Sequence, residues 1–108
     1  MTSPELRQRI AAATEIATRL RDLVLREAEP GSRLGWYDHL RRMIDILGTD
    51  DDPAEVLKYA ALTLKQLYSG GRNFGDFYIP RDDMRERIEE NRKLECLTDE
   101  LTRLLNTR

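Results

Sequence analysis

Residues 70–80 read GGRNFGDFYIP, and their composition differs from that of the rest of the chain. The stretch holds three of the seven aromatic residues and three of the six glycines in a chain of 108 residues. Its large apolar side chains (Phe74, Phe77, Tyr78 and Ile79) cannot all remain in water within so short a connection. We therefore expect this aromatic loop to fold back and close one end of the protein between two helices, with its glycines supplying the unusual backbone angles.

Outside the loop, apolar residues recur at spacings of three and four, which predicts amphipathic helices. The longest stripe consists of Leu6, Ile10, Ala13, Ala17, Leu20 and Val24. The second helix would turn Trp36, Leu40, Met43, Ile44 and Leu47 inward. Prolines and glycines mark the ends, and the predicted N-caps are Ser32 for the second helix and Asp52 or Asp51 for the third. The predicted helices cover about residues 4–28, 33–47, 53–68 and 81–106.

The fourth predicted helix has an apolar face that rotates along its length. Met84 and Ile88 lie on one side, whereas the later residues Leu94, Leu97, Leu101, Leu104 and Leu105 lie on another. The rotation exceeds ordinary heptad drift. We therefore expect the first half of the helix to pack on the aromatic loop, with Asn91 half buried between the two groups.

Together these features predict the fold class. Four amphipathic helices with short connections favour an all-α, antiparallel four-helix bundle with the aromatic loop packed on one end. A length of 108 residues fits a single domain that spans the chain and has its own core.

Composition narrows the range of partners. The net charge is −2, and acidic and basic residues are mixed in every segment, which argues against nucleic-acid binding. No apolar run approaches the roughly 20 residues of a membrane span, and no N-terminal signal peptide is recognisable. Cys96 is the only cysteine, so it has no partner for an internal disulfide. We expect a cytoplasmic protein without a membrane contact.

Groups that could carry chemistry are isolated in the sequence. His39 is the only histidine, and it belongs to no metal-binding spacing. Asp50–Asp52 lack the alternating ligands of a calcium loop, so an N-cap is the simpler interpretation. The glycines of the aromatic loop follow a helix rather than a strand, unlike those of phosphate-binding loops. The sequence thus predicts no catalytic residue, metal site or cofactor, and no enzyme activity.

Three features in chain order resemble those of a known family. They are the helix segment from Trp36 to Leu40, a further helix, and the run Gly70-Gly71-Arg72-Asn73-Phe74-Gly75-Asp76-Phe77-Tyr78-Ile79. The arrangement resembles a family of small bacterial helical proteins of unknown function, over roughly residues 15–80. The family pattern is Gly-Gly-x-[Gly/Asn]-x-x-Asp followed by three apolar residues, and the Arg72-Asn73-Phe74 tripeptide departs from many relatives. The resemblance implies a bacterial origin but no activity. The small helical character is also similar to that of immunity proteins, which neutralise toxins.

These observations predict a non-enzymatic protein-interaction module, most concretely an immunity protein that binds a bacterial toxin or effector. The predicted partner-binding residues are Trp36, Tyr37, Arg72, Asn73, Phe74, Asp76 and Tyr78. The aromatic loop has two interpretations that the sequence leaves open, a structural closure of the bundle and a recognition surface. An alternative function is a small regulatory domain that binds nucleic acid or a small ligand. The long stripe of the first helix fits either a monomeric bundle or a homodimer.

Overall fold

A computed structural model describes residues 4–28, 30–69 and 73–106 of the chain. Over these residues the protein is all-α, with four α-helices, one 3-10 turn and no β-strand. The elements are α1 (Pro4–Glu27), α2 (Pro30–Leu47), α3 (Pro53–Leu67), the 3-10 turn (Phe74–Asp76) and α4 (Met84–Asn106). They form an elongated bundle of 50 × 25 × 20 Å, so the predicted fold class is confirmed.

Helix α1 lies at the centre of the bundle, where it packs on both α2 and α4. Helices α1 and α4 are antiparallel, and a polar contact joins them at each end of the pair. At one end, the Arg9 guanidinium donates from Nε to the Leu104 carbonyl oxygen at 3.0 Å, near the end of α4. At the other end, Glu27 binds Arg81, just before α4 begins. These contacts fix which residues of the two helices lie at the same level.

The core follows the predicted stripes. Ala13, Ala17, Leu20 and Val24 of α1 are completely buried, and small alanine side chains allow neighbouring helices to approach closely. The predicted inward face of α2 is also confirmed. Its residues Trp36, Leu40, Met43 and Leu47 are buried, and Ile44 is partly buried against them.

The start of α2 differs from the prediction, whereas the start of α3 agrees with it. Helix α2 begins at Pro30, about one turn before the predicted residue 33, because proline suits the first turn of a helix, where its missing N–H is no loss. Ser32 lies within α2, so the prediction that it is the N-cap is wrong. Asp52 caps α3 as predicted, since its carboxylate accepts a hydrogen bond from the Glu55 amide at 3.3 Å.

Helix α4 begins at Met84 rather than at the predicted residue 81. The carboxylate of Asp83 accepts a hydrogen bond from the Glu86 amide at 3.0 Å and so acts as the N-cap. The preceding residues continue the aromatic loop. Met84 and Ile88 are 63% and 53% exposed, so the prediction that they pack on this loop is wrong. The loop reaches α4 one turn later, at Asn91, and leaves these two side chains uncovered.

Candidate interaction surface

The aromatic loop is anchored by a cluster of four rings. Phe74 is 3% exposed and stands edge-on to Trp36 of α2 at 5.7 Å and to Tyr68 at 5.8 Å, measured between ring centroids. It also stacks on Phe77 at 5.5 Å, and Phe77 in turn lies 5.6 Å from Trp36. Such pairs add to the stabilisation that burial alone provides. The loop is therefore part of the hydrophobic core, next to α2 and the end of α3.

Asn91 of α4 holds the backbone of the loop. Its side-chain oxygen accepts a hydrogen bond from the Ile79 amide at 2.8 Å, and its Nδ2 donates to the Ile79 carbonyl oxygen at 2.9 Å. The same Nδ2 donates to the carbonyl oxygen of Arg87, one turn earlier in α4, at 2.7 Å. Asn91 is partly buried, as the sequence predicted. The Asn91 side chain thus supplies the hydrogen bonds that the Ile79 backbone would otherwise make within a strand or a helix.

A bidentate ion pair fixes the end of the aromatic loop to α1. The two terminal nitrogens of Arg81 donate to the two carboxylate oxygens of Glu27 at 2.9 and 2.8 Å. The Glu27 side chain is only 11% exposed. The hydrogen bond from Arg81 lowers the pKa of the Glu27 carboxyl below its usual value, against the opposing effect of burial. The carboxylate therefore stays ionised and paired.

Between these anchors, the loop presents one aromatic side chain to solvent. Phe77 and Ile79 are buried, whereas Tyr78 between them is 62% exposed. Tyr78 borders a shallow cavity of about 380 Å³ that is also lined by Pro80, Arg81, Asp82 and Arg87. Because its two neighbours are fixed in the core, the backbone that carries Tyr78 is held in place.

The turn before Tyr78 is ordered by a short-range contact. The side-chain oxygen of Asn73 accepts a hydrogen bond from the Gly75 amide at 2.8 Å, a contact that polar residues commonly make in such turns. A side chain at Gly75 would place its Cβ 2.9 Å from that oxygen, so glycine suits this close approach. Asp76 completes the turn and is exposed. It adds a negative charge two residues from Tyr78.

The structure separates the predicted partner-binding residues into groups. Trp36 and Phe74 are buried, and they support the loop from inside the core. Tyr37 and Asn73 are partly buried, and Asp76 and Tyr78 are exposed. Arg72 lies outside the described residues. The exposed part of the predicted patch is therefore smaller than expected and is centred on Tyr78.

Three features of this region were not assigned to the site from the sequence, namely Asn91, the Glu27–Arg81 pair, and the exposed side chains of Met84 and Ile88. Asn91 and the Glu27–Arg81 pair position the loop, and their contacts join residues 12 and 54 positions apart. A single sequence carries no pattern for such contacts. Met84 and Ile88 add exposed apolar surface after the loop. The sequence signal for this surface was the rotated apolar stripe of α4, but we expected these two side chains to be buried against the loop.

A second concave surface lies between α1 and α4, outside the predicted site. This α1–α4 groove has a volume of about 1060 Å³. Its apolar lining includes Ala12, Ile16 and Leu23 of α1, with Leu94 and Leu97 of α4. Charged side chains of both helices form its rims.

The isolated polar groups take ordinary positions. The Nδ1 of His39 lies 2.8 Å from the Gly35 carbonyl oxygen in the same helix, and Cys96 is an exposed free thiol. Within residues 4–28, 30–69 and 73–106, no group of three or more His, Cys, Asp or Glu side chains could hold a metal ion. None of the helices in that part of the chain is long and apolar enough to cross a membrane.

No protein-family model matches the chain, and neither a curated protein nor a solved structure does so. Function must therefore be argued from the surfaces of the molecule itself.

Proposed function

We propose that the protein is a non-enzymatic protein-interaction module that binds its partner through the surface around Tyr78. The observation that carries the proposal is the exposure of this tyrosine between two buried neighbours, Phe77 and Ile79. Tyr78 is 62% exposed although the residues on both sides of it are buried in the core. Packing in the core therefore does not explain its position.

Binding energy at protein interfaces is concentrated in a few aromatic and arginine side chains. An anchor on a fixed backbone loses little conformational freedom when the partner binds, so more of its contact energy appears as affinity. Tyr78 supplies the anchor. Asp76 and Arg87, on either side of it in the sequence, supply opposite charges that favour one orientation of the partner.

The most specific form of the proposal is an immunity protein in a bacterial cytoplasm that neutralises a toxin by covering its functional surface. The supports are the resemblance of residues 15–80 to small bacterial helical proteins and the similarity to immunity proteins in size and helical content. In this form, the partner is a toxin or effector protein, and co-expression with this chain restores growth to cells that produce the toxin.

The test begins with capture of a partner from cells of the source organism on the immobilised protein, followed by purification of that partner. Titration then compares the parent with Tyr78→Ala and with a matched control, Tyr59→Ala, whose tyrosine is 53% exposed on α3. Loss of a central aromatic anchor weakens binding by about thirtyfold, or roughly 2 kcal/mol. We expect that loss in Tyr78→Ala, with parental affinity in Tyr59→Ala.

Two results would contradict the proposal. Equal affinity in the Tyr78→Ala variant and the parent would remove this surface from the interaction. A partner that proves to be DNA or RNA, with affinity falling steeply as salt rises, would favour the regulatory alternative instead.

A further inference from the structure

We propose that the α1–α4 groove is the contact surface of a homodimer, in which two copies meet about a two-fold axis that runs across the groove. The occupant of the groove is a second copy of this chain, whose own α1 and α4 lie antiparallel over the first. The inference does not rest on the proposed function, because the groove is lined by neither Tyr78 nor Asp76.

The charges along the α1 rim alternate in sign. Glu15, Arg19, Asp22 and Arg26 all line the groove at successive spacings of four, three and four residues. At 1.5 Å of rise per residue, the last three lie about 6, 10 and 16 Å beyond the first. Ion pairs within α1 leave Arg19 and Asp22 largely exposed, with 64% and 59% of their side-chain surfaces accessible. From Glu15 to Arg26, the charges of the rim are therefore acidic, basic, acidic and basic.

The α4 rim matches the α1 rim in sign along the middle of the groove. The contacts of Arg9 with Leu104 and of Glu27 with Arg81 set the antiparallel register of the two helices. In this register, Arg92 and Lys93 lie near the level of Arg19, whereas Glu89 and Glu90 lie near the level of Asp22. Glu100 lies towards the Glu15 end. Each of the two middle levels, those of Arg19 and Asp22, therefore forms a band of one sign across both walls.

The order of the charges along the groove decides between the two ways in which a two-fold axis can place one groove over another. An axis along the groove would set α1 over the partner's α4 at the same level, so the two middle bands would each face their own sign. An axis across the groove reverses the order of the bands. Glu15 then faces the partner's Arg26, and Arg19 faces the partner's Asp22. The second arrangement is therefore electrostatically self-complementary along α1, whereas the first opposes like charges at both middle levels.

The floor of the groove supplies apolar surface for the contact. Ile16, Leu23 and Leu97 are only partly buried within one copy, and they would pack against the apolar floor of the second copy as the inner residues of a four-helix bundle do. The groove spans about 20 Å of α1 from Ala12 to Arg26. That patch is smaller than the roughly 800 Å² per partner of a standard stable interface. We therefore expect a dissociation constant in the range of about 1–100 µM.

The experiment measures mass by sedimentation between about 1 and 300 µM for the parent, Arg19→Glu, Asp22→Arg and the double variant. The parent should move from 12.6 kDa towards twice that mass as its concentration rises. In a symmetric dimer, each single reversal turns two attractive contacts into two repulsive ones, so it should weaken dimerisation about tenfold to a hundredfold. The double variant should regain the parental constant, because Glu at 19 would then face Arg at 22.

A mixture of the two single variants gives the sharpest outcome. In a heterodimer of Arg19→Glu with Asp22→Arg, every facing pair of α1 charges again has opposite signs, so the mixture should dimerise more tightly than either component alone. Far-ultraviolet circular dichroism of each variant checks that its helices are intact. A parent that stays at 12.6 kDa up to 300 µM would overturn the inference. Single variants that dimerise as the parent does, or a mixture that stays monomeric, would also overturn it.

Discussion

Replacement of Phe74 by alanine should destabilise the whole protein, because the aromatic loop is part of its core. The Phe74 ring is 3% exposed and contacts the rings of Trp36, Tyr68 and Phe77 at centroid distances of 5.7, 5.8 and 5.5 Å. Removal of a buried phenylalanine costs about 3–5 kcal/mol through lost transfer energy and the cavity that remains. The total stability of a domain is about 5–15 kcal/mol, so the loss is a large fraction of it.

The assay is equilibrium urea unfolding, followed by tryptophan fluorescence and by circular dichroism. Trp36 is the only tryptophan and lies in the ring cluster, so its emission reports on the aromatic loop, while the dichroism reports on the helices. Both signals should shift together to lower urea. At roughly 4 °C per kcal/mol, the melting temperature should fall by about 12–20 °C.

The matched control is Tyr78→Ala, four residues further along the same loop. Its side chain is 62% exposed, so its loss should change the free energy of unfolding by less than about 0.5 kcal/mol. A cost below about 1 kcal/mol for Phe74→Ala would refute the reasoning. So would a fluorescence change that precedes the loss of helix, since the loop would then open independently of the bundle.

Two further predictions concern the groups that hold the aromatic loop. Asn91→Ala leaves the Ile79 amide and carbonyl without their side-chain partner and should cost about 1–3 kcal/mol in urea unfolding. The control Arg85→Ala, at an exposed position of α4 outside the groove, should cost less than about 0.5 kcal/mol, and equal costs would contradict the role of Asn91. For Glu27, the pKa is lowered in the folded state, so its contribution to stability is present above the ordinary value of 4.5 and is lost as pH falls through the lowered value. The parent should therefore lose stability more steeply on acidification than Glu27→Gln, and parallel pH profiles of the two melting temperatures would contradict this.

The helices and the core were predictable because both depend on local periodicity. The α1 stripe predicted Ala13, Ala17, Leu20 and Val24 as core residues, and all of them are completely buried. Asp52 was predictable as a cap because its hydrogen bond spans only three residues. Burial of the loop phenylalanines followed from the cost of leaving so many apolar groups in water.

The prediction failed where long-range contacts compete with local signals. Pro80 and the acidic residues after it look like a helix start, yet Arg81 is drawn to Glu27 of α1 and α4 begins only at Met84. Which of the loop side chains would face solvent depended on Asn91, which fixes Ile79 inward and so turns Tyr78 outward. Trp36 and Phe74 were assigned to a partner-binding patch because the sequence shows that an aromatic residue is present but not which way it points.

Amide hydrogen exchange at Ile79 is the measurement that tests the central claim most directly, namely that the aromatic loop is fixed to the core and so holds Tyr78 in a defined position. Among the described residues, the Ile79 amide is bonded only to a side chain on another element, so its protection reports on that anchor. The account predicts that this amide exchanges as slowly as the core amides of α4, and that Asn91→Ala accelerates it by at least tenfold. Exchange at the rate of an unprotected loop amide in the parent protein would contradict the account.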